Sequence, residues 1–212
     1  KNVLVDTIYG YNLICVACGN DGVDDCYDVR INNVTRMGNG RDMSPDAWYS
    51  IGLFRTSNFT ITNYFSEFYP AAFGTGGTHI FTATSTRGVI SNNVIAQPAR
   101  GNSNGIVLET ATTNVIVANN SINIVGTGIK TFGTNNNFNT IIGNKVFFCD
   151  IGIEIQAAVS LFANNYIHSS ITTDLSFPNL DGVNNRFFGN LFTTYTSSFP
   201  NFFQYQSSIS NI

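Results

Sequence analysis

The sequence predicts an all-β solenoid, a single column of stacked coils whose strands run parallel. Three observations carry that expectation. A short apolar motif ending in asparagine recurs along most of the 212 residues. The spacing between its copies is unequal, which rules out helical repeats of fixed length. The composition holds 29 asparagines, 19 glycines and 18 phenylalanines but only three lysines. Helices favour Ala, Glu and Lys, whereas strands take aromatic residues readily.

The motif is a polar residue, two further positions, an apolar residue, any residue, then Asn. Its clearest copies are Asn58-Phe-Thr-Ile-Thr-Asn63, Asn114-Val-Ile-Val-Ala-Asn119, Asn139-Thr-Ile-Ile-Gly-Asn144 and Asn185-Arg-Phe-Phe-Gly-Asn190. Copies ending at Asn33, Asn92 and Asn164 keep the apolar residue and the Asn, and an eighth ends at Thr7. Successive ends lie between 20 and 30 residues apart. Coils whose loops vary while their strands stay in register produce such a spread. Eight coils follow, with Asn33, Asn63, Asn92, Asn119, Asn144, Asn164 and Asn190 expected at one internal corner. Stacked asparagines can hydrogen-bond to their copies. The expected inward column is Ile31, Ile61, Ile90, Val117, Ile142, Phe162 and Phe188. A second landmark is a glycine before an apolar residue, at Gly22, Gly52, Gly105, Gly128 and Gly152.

This repeat resembles that of the right-handed parallel β-helix superfamily, the pectin-lyase-like fold. That group includes pectate lyases, polygalacturonases, alginate epimerases and phage tailspikes. The resemblance covers most of the chain and implies a right-handed parallel β-helix with an internal asparagine ladder. It implies a polysaccharide as partner, and an extracellular or virion-surface location. Within the group, the phage tailspikes imply a homotrimer. The fold hosts many chemistries, so the activity has to come from particular residues.

Charge narrows the field. Lys and Arg number 10 and Asp and Glu 13, for a net charge of −3. Nucleic acid is not expected as a partner, because phosphate binding needs a clustered basic surface. No apolar run approaches the roughly 18 residues that span a membrane. The chain opens on Lys1-Asn-Val-Leu-Val, which reads as a strand rather than a signal peptide. Residues 1–212 are expected to form one domain, a piece of a longer chain.

The long coils end at Asn63, Asn92 and Asn119. Their extra length falls in segments 35–50, 64–79 and 94–104, which should emerge on one side of the column. Long loops on a rigid scaffold are where function tends to sit. The charged and aromatic residues of this charge-poor chain gather there. Asp24, Asp25, Asp46, Arg55, His79 and Glu109 are the candidate acids, bases and charge-stabilising groups. Arg41, Asp42, Trp48, Tyr49, Phe54 and Phe81 are the candidate substrate contacts. Lys130 and Glu154 follow further along. Paired carboxylates suit glycosidic cleavage, and a base beside a cation suits a lyase.

The stretch Asn20-Asp-Gly-Val-Asp24-Asp25-Cys26 superficially resembles acidic elements of polygalacturonases. The Gly-His-Gly and Arg-Ile-Lys motifs that accompany them in that family do not occur here, so those roles are not carried over. No cofactor is required by the sequence; Ca²⁺ is the ion this acidic stretch would suit. Cys15, Cys18, Cys26 and Cys149 are read as buried free thiols. Asn33-Val-Thr, Asn58-Phe-Thr and Asn119-Asn-Ser match the glycosylation pattern, and two of the three fall on expected inward positions.

Three functions are compatible with these features. The first is a phage tailspike-like protein that binds and depolymerises a bacterial surface polysaccharide. The second is a secreted monomeric polysaccharide lyase, hydrolase or epimerase. The third is a non-enzymatic structural or adhesive solenoid.

Overall fold

The computed structural model describes residues 2–11, 16–18, 25–38, 49–68, 77–97, 103–168, 170–178, 184–192 and 195–197. Among them there is no helix, and every strand pairing is parallel. The strands form three faces. The first face includes Thr56–Thr62, Thr86–Ser91 and Thr113–Ala118, and the second includes Phe65–Phe68, Val94–Ala96 and Ser121–Asn123. Cys26–Gly38 runs through both, joining them into one 14-stranded sheet. The third face is an 8-stranded sheet that includes Tyr49–Phe54, Thr78–Ala83, Asn104–Glu109, Thr127–Phe132 and Ile151–Ile155. The all-β parallel solenoid expected from the repeat is therefore what forms. It makes about six turns rather than eight. The coils at the two ends contribute strands, but their connections at 12–15, 19–24 and 193–194 lie outside the described residues.

The core is a stack of aliphatic columns. Val5, Ile31, Ile61, Ile90, Val117, Ile141, Phe162 and Phe187 are successive partners on the first face. Ile51, Ile80, Ile106, Ile129, Ile153 and Leu175 do the same on the third. Two expected members are displaced. Ile142 is half-buried, and Phe188 is 70% exposed. Ile141 is fully buried instead, and Phe187 stacks on Phe162 with ring centroids 5.0 Å apart. A slip of one residue inverts every side chain of a strand.

The cause of that slip is the asparagine ladder itself. It exists, but it runs through Asn93, Asn120, Asn144, Asn165 and Asn190. Each Nδ2 donates to the next Oδ1 at 2.8–2.9 Å. Each Oδ1 also accepts the preceding ladder residue's backbone N–H at 3.0 Å. The second Nδ2 hydrogen goes to a carbonyl of the coil before, as from Asn120 to Ile90 O at 3.0 Å. At the ladder's start, Asn93 Oδ1 accepts the Tyr64 N–H at 2.9 Å. All the hydrogen-bonding capacity of Asn120 and Asn144 is thus used inside the column.

Asn33, Asn63, Asn92, Asn119 and Asn164 occupy the preceding position. They are exposed and left-handed, with φ between 51° and 57°. That conformation favours Gly and Asn. Gly143 and Gly189 hold it in the remaining coils, which is why only there does the motif's final Asn coincide with the ladder. A Cβ on Gly143 would lie 2.6 Å from Asn119 Oδ1. Asn33 and Asn119, two of the glycosylation-pattern residues, therefore face outward, as does Asn58.

The glycine landmark also divides. Gly105 and Gly128 face inward, where an added Cβ would meet the next glycine's carbonyl at 2.5 and 2.6 Å. Gly152 continues that column, but Gly52 pairs with Phe81 on the outer surface. Gly22 lies outside the described residues.

Cys18 and Cys26 form a disulfide, with Cα atoms 6.3 Å apart. This corrects the free-thiol reading for both. The bond joins the first third-face strand, Val16–Cys18, to the start of Cys26–Gly38. Cys149 is a buried thiol outside any disulfide, as expected, and Cys15 lies outside the described residues.

Asn120→Ala is expected to destabilise by about 1–3 kcal/mol for each buried partner it leaves unpaired. Asn119→Gly, which keeps the left-handed corner, should stay within about 0.5 kcal/mol of the parent. Urea denaturation of both variants checks this, and equal midpoints would refute the ladder assignment.

Candidate functional site

The outer surface of the third face gathers most of the described candidate residues. Register fixes their order. Gly52, Phe81, Val107, Lys130 and Glu154 form one outward column. Phe54, Ala83, Glu109 and Phe132 form the next. Both run along the column axis, with rungs about 4.8 Å apart.

The aromatic candidates come together. Tyr49 stacks on Phe81, with centroids 4.7 Å apart. Phe54 lies 5.5 Å from Tyr49 and 5.3 Å from Phe81. All three are half-buried. Gly52 makes the cluster possible, since a Cβ there would meet the Tyr49 ring at 2.9 Å and the Phe54 ring at 3.2 Å. The outcome is an aromatic patch partly open to solvent.

Two rungs beyond Phe54 sits Glu109. Burial pushes its carboxyl above the usual glutamate range, and the Lys130 charge pulls it partly back. Lys130 Nζ is 2.9 Å from Glu154 Oε1 and lies over the Phe132 ring, 5.3 Å from its centroid. Gln156 Nε2 donates to the same Glu154 oxygen at 3.0 Å. Lys130 and Glu154 were noted in the sequence but not placed among the site residues. Phe132 and Gln156, two residues after Lys130 and Glu154, were not singled out there.

Asp25 and Arg55 meet at the corner between the third and first faces. Arg55 Nε is 2.8 Å from Asp25 Oδ1, and Tyr27 Oη donates to Asp25 Oδ2 at 3.2 Å. Arg55 is left-handed, with φ 48°, which turns the chain there. The ion pair is solvent-exposed, and such pairs contribute little, about 0–1 kcal/mol.

His79 is placed inside the column, 1% exposed. Tyr64 Oη lies 3.4 Å from its Nδ1, and Gln97 Nε2 lies 3.0 Å from its Nε2. Nearby, Arg36 Nη1 donates to Ser50 Oγ, and Gln97 donates to Ser103 Oγ. These buried polar residues belong to strands and turns that flank 39–48, 69–76 and 98–102, which lie outside the described residues. The next coils fill equivalent inward positions with Ile122, Val146 and glycine, and the buried Asp174 follows Gly152 below them. Asp24, Arg41, Asp42, Asp46 and Trp48 lie outside the described residues. So does most of the acidic stretch read as suiting Ca²⁺.

No protein-family model matches the chain, and no curated protein matches it either.

Burial, followed by the Arg36 charge, lowers the His79 pKa from 6.5 to about 3. A depressed folded-state pKa gives stability that is present above the unfolded value and lost as the pH falls toward the folded one. The protein should therefore lose up to about 1.4 kcal/mol per pH unit on acidification below 6.5. His79→Gln should flatten that profile. Identical acid profiles in thermal melts of the two proteins would remove His79 as the cause.

Proposed function

We propose that the outer surface of the third face binds a polysaccharide and cleaves it, in the manner of a phage tailspike. The observation that carries this reading is the coincidence on one sheet face of the Tyr49–Phe54–Phe81 patch and the raised carboxyl of Glu109. Aromatic rings pack against the apolar faces of sugar rings, and a carboxyl whose pKa is raised by burial is the kind of group that serves as a general acid.

In the reaction, the patch holds the chain along the column axis. Glu109 delivers its proton to the glycosidic oxygen as the bond breaks. Hydrolysis needs a second carboxylate to act on water or on the anomeric carbon. Among the described residues, Glu154 is the one that shares this face. Lys130 and Gln156 fix its orientation. Phe132 supplies further apolar surface beside Lys130.

The Cys18–Cys26 disulfide favours an oxidising setting, such as a secreted protein or a virion surface. It suits the secreted monomeric enzyme as well as the tailspike. A homotrimer is supported by large exposed apolar side chains on the other two faces. Leu4, Tyr9 and Phe188 are 73%, 66% and 70% exposed. Light scattering of the purified protein separates trimer from monomer.

Glu109→Gln should lower the release of reducing ends from a bound polysaccharide by at least about 10²-fold, the scale of a lost general acid. Binding should persist. Phe81→Ala should chiefly weaken binding. If the parent protein binds polysaccharide but releases no reducing ends, the adhesive reading replaces the enzymatic one.

Gly52→Val offers an independent check on the patch. The added side chain must displace the Tyr49 and Phe54 rings, so binding should fall about tenfold or more while the melting temperature changes little. Undiminished binding would place the polysaccharide elsewhere.

A further inference from the structure

The charges on the third face are few, and their arrangement bears on which polymer it accepts. Among the described residues of the two outward columns, Lys130, Glu109 and Glu154 are the charged ones. Lys130 is the single cation of the three. Its ammonium is held on one side by Glu154 at 2.9 Å and on the other by the Phe132 ring at 5.3 Å. The Glu154 side chain is only 10% exposed, so it has little water to fall back on. The other described cation near this surface, Arg55, is at the corner and paired with Asp25 at 2.8 Å.

We propose that this face selects uncharged polysaccharide, with the Lys130–Glu154 pair as the element that turns polyanions away. The inference rests on the reading of the face as a glycan site. A uronate carboxylate arriving at Lys130 would have to displace Glu154, leaving a nearly buried carboxylate without its counter-charge. An anionic polymer therefore meets a cation already taken by Glu154, where a neutral one meets an apolar patch and a side-chain amide, as at Gln156. Specificity of this kind comes from the unfavourable element as much as from the favourable one.

The discriminating residue is Glu154. Converting it to the amide keeps its size and its contact with Gln156, but frees the Lys130 charge. The test is an array of bacterial polysaccharides, half neutral and half uronate-containing, probed with the intact protein and with Glu154→Gln. The parent protein should bind neutral polymers about tenfold or more above uronate-containing ones. Glu154→Gln should raise uronate binding by about tenfold, a gain that added salt erases. Each reading is taken relative to the same protein's binding of neutral polymers. A parent protein that prefers uronate polymers overturns the inference, as does a folded Glu154→Gln with unchanged preference. If that variant does not fold, the parent's ranking alone decides. Binding to no polysaccharide at all is a different result: it overturns the glycan reading of the face, and the inference falls with it.

Discussion

Everything in this molecule depends on in-register stacking of parallel coils. A parallel ladder satisfies backbone groups on both sides of a strand, but it leaves the corners, where the chain must turn, without regular partners. The asparagine ladder supplies them. Each inward amide reaches the backbone of neighbouring coils and the next amide in the column. One residue type at one corner thereby fixes the register. Register in turn decides which side chains enter the core and which line the outer faces. The candidate surface is a consequence of that choice, since the strands that present Phe81 and Glu109 outward bury Ile80 and Leu108 inward.

The fold was legible because the spacing of apolar residues and asparagines is a direct imprint of the stack. What stayed hidden was which asparagine does what. Asn suits both a left-handed corner and a buried ladder, and in coils with Asn92-Asn93, Asn119-Asn120 or Asn164-Asn165 the two roles are adjacent. Only the coils with Gly143 and Gly189 separate them, because glycine can take the corner but not the ladder. The same ambiguity displaced Ile142 and Phe188 from the expected core.

The candidate site was legible in composition and less so in direction. Tyr49, Phe54, Phe81 and Glu109 share one face, and Asp25 meets Arg55 at its edge. His79 could not be placed from the sequence, since a strand residue beside a long loop can turn either way. Its inward course belongs to a polar interior that the next coils replace with Gly105 and Gly128. Phe132 and Gln156 stand only two residues after Lys130 and Glu154. What stayed hidden was the stacking of two coils that brings Lys130 to Glu154 across more than 20 residues of sequence.

Some corners hold residues that would not choose them. Phe138 and Val159 are left-handed, with φ of 58° and 51°, in a column whose other members include Asn58 and Asn114. A bulky or β-branched residue in that conformation is strained, by roughly 1–2 kcal/mol. They adopt it because the coils on either side have already set the path of the chain. Shape here is inherited: each layer is cast on the one beside it, as in the growth of a crystal, and a layer with the wrong residue at one corner is still drawn into the common outline. Such a column can change its surface one layer at a time while its cross-section stays the same.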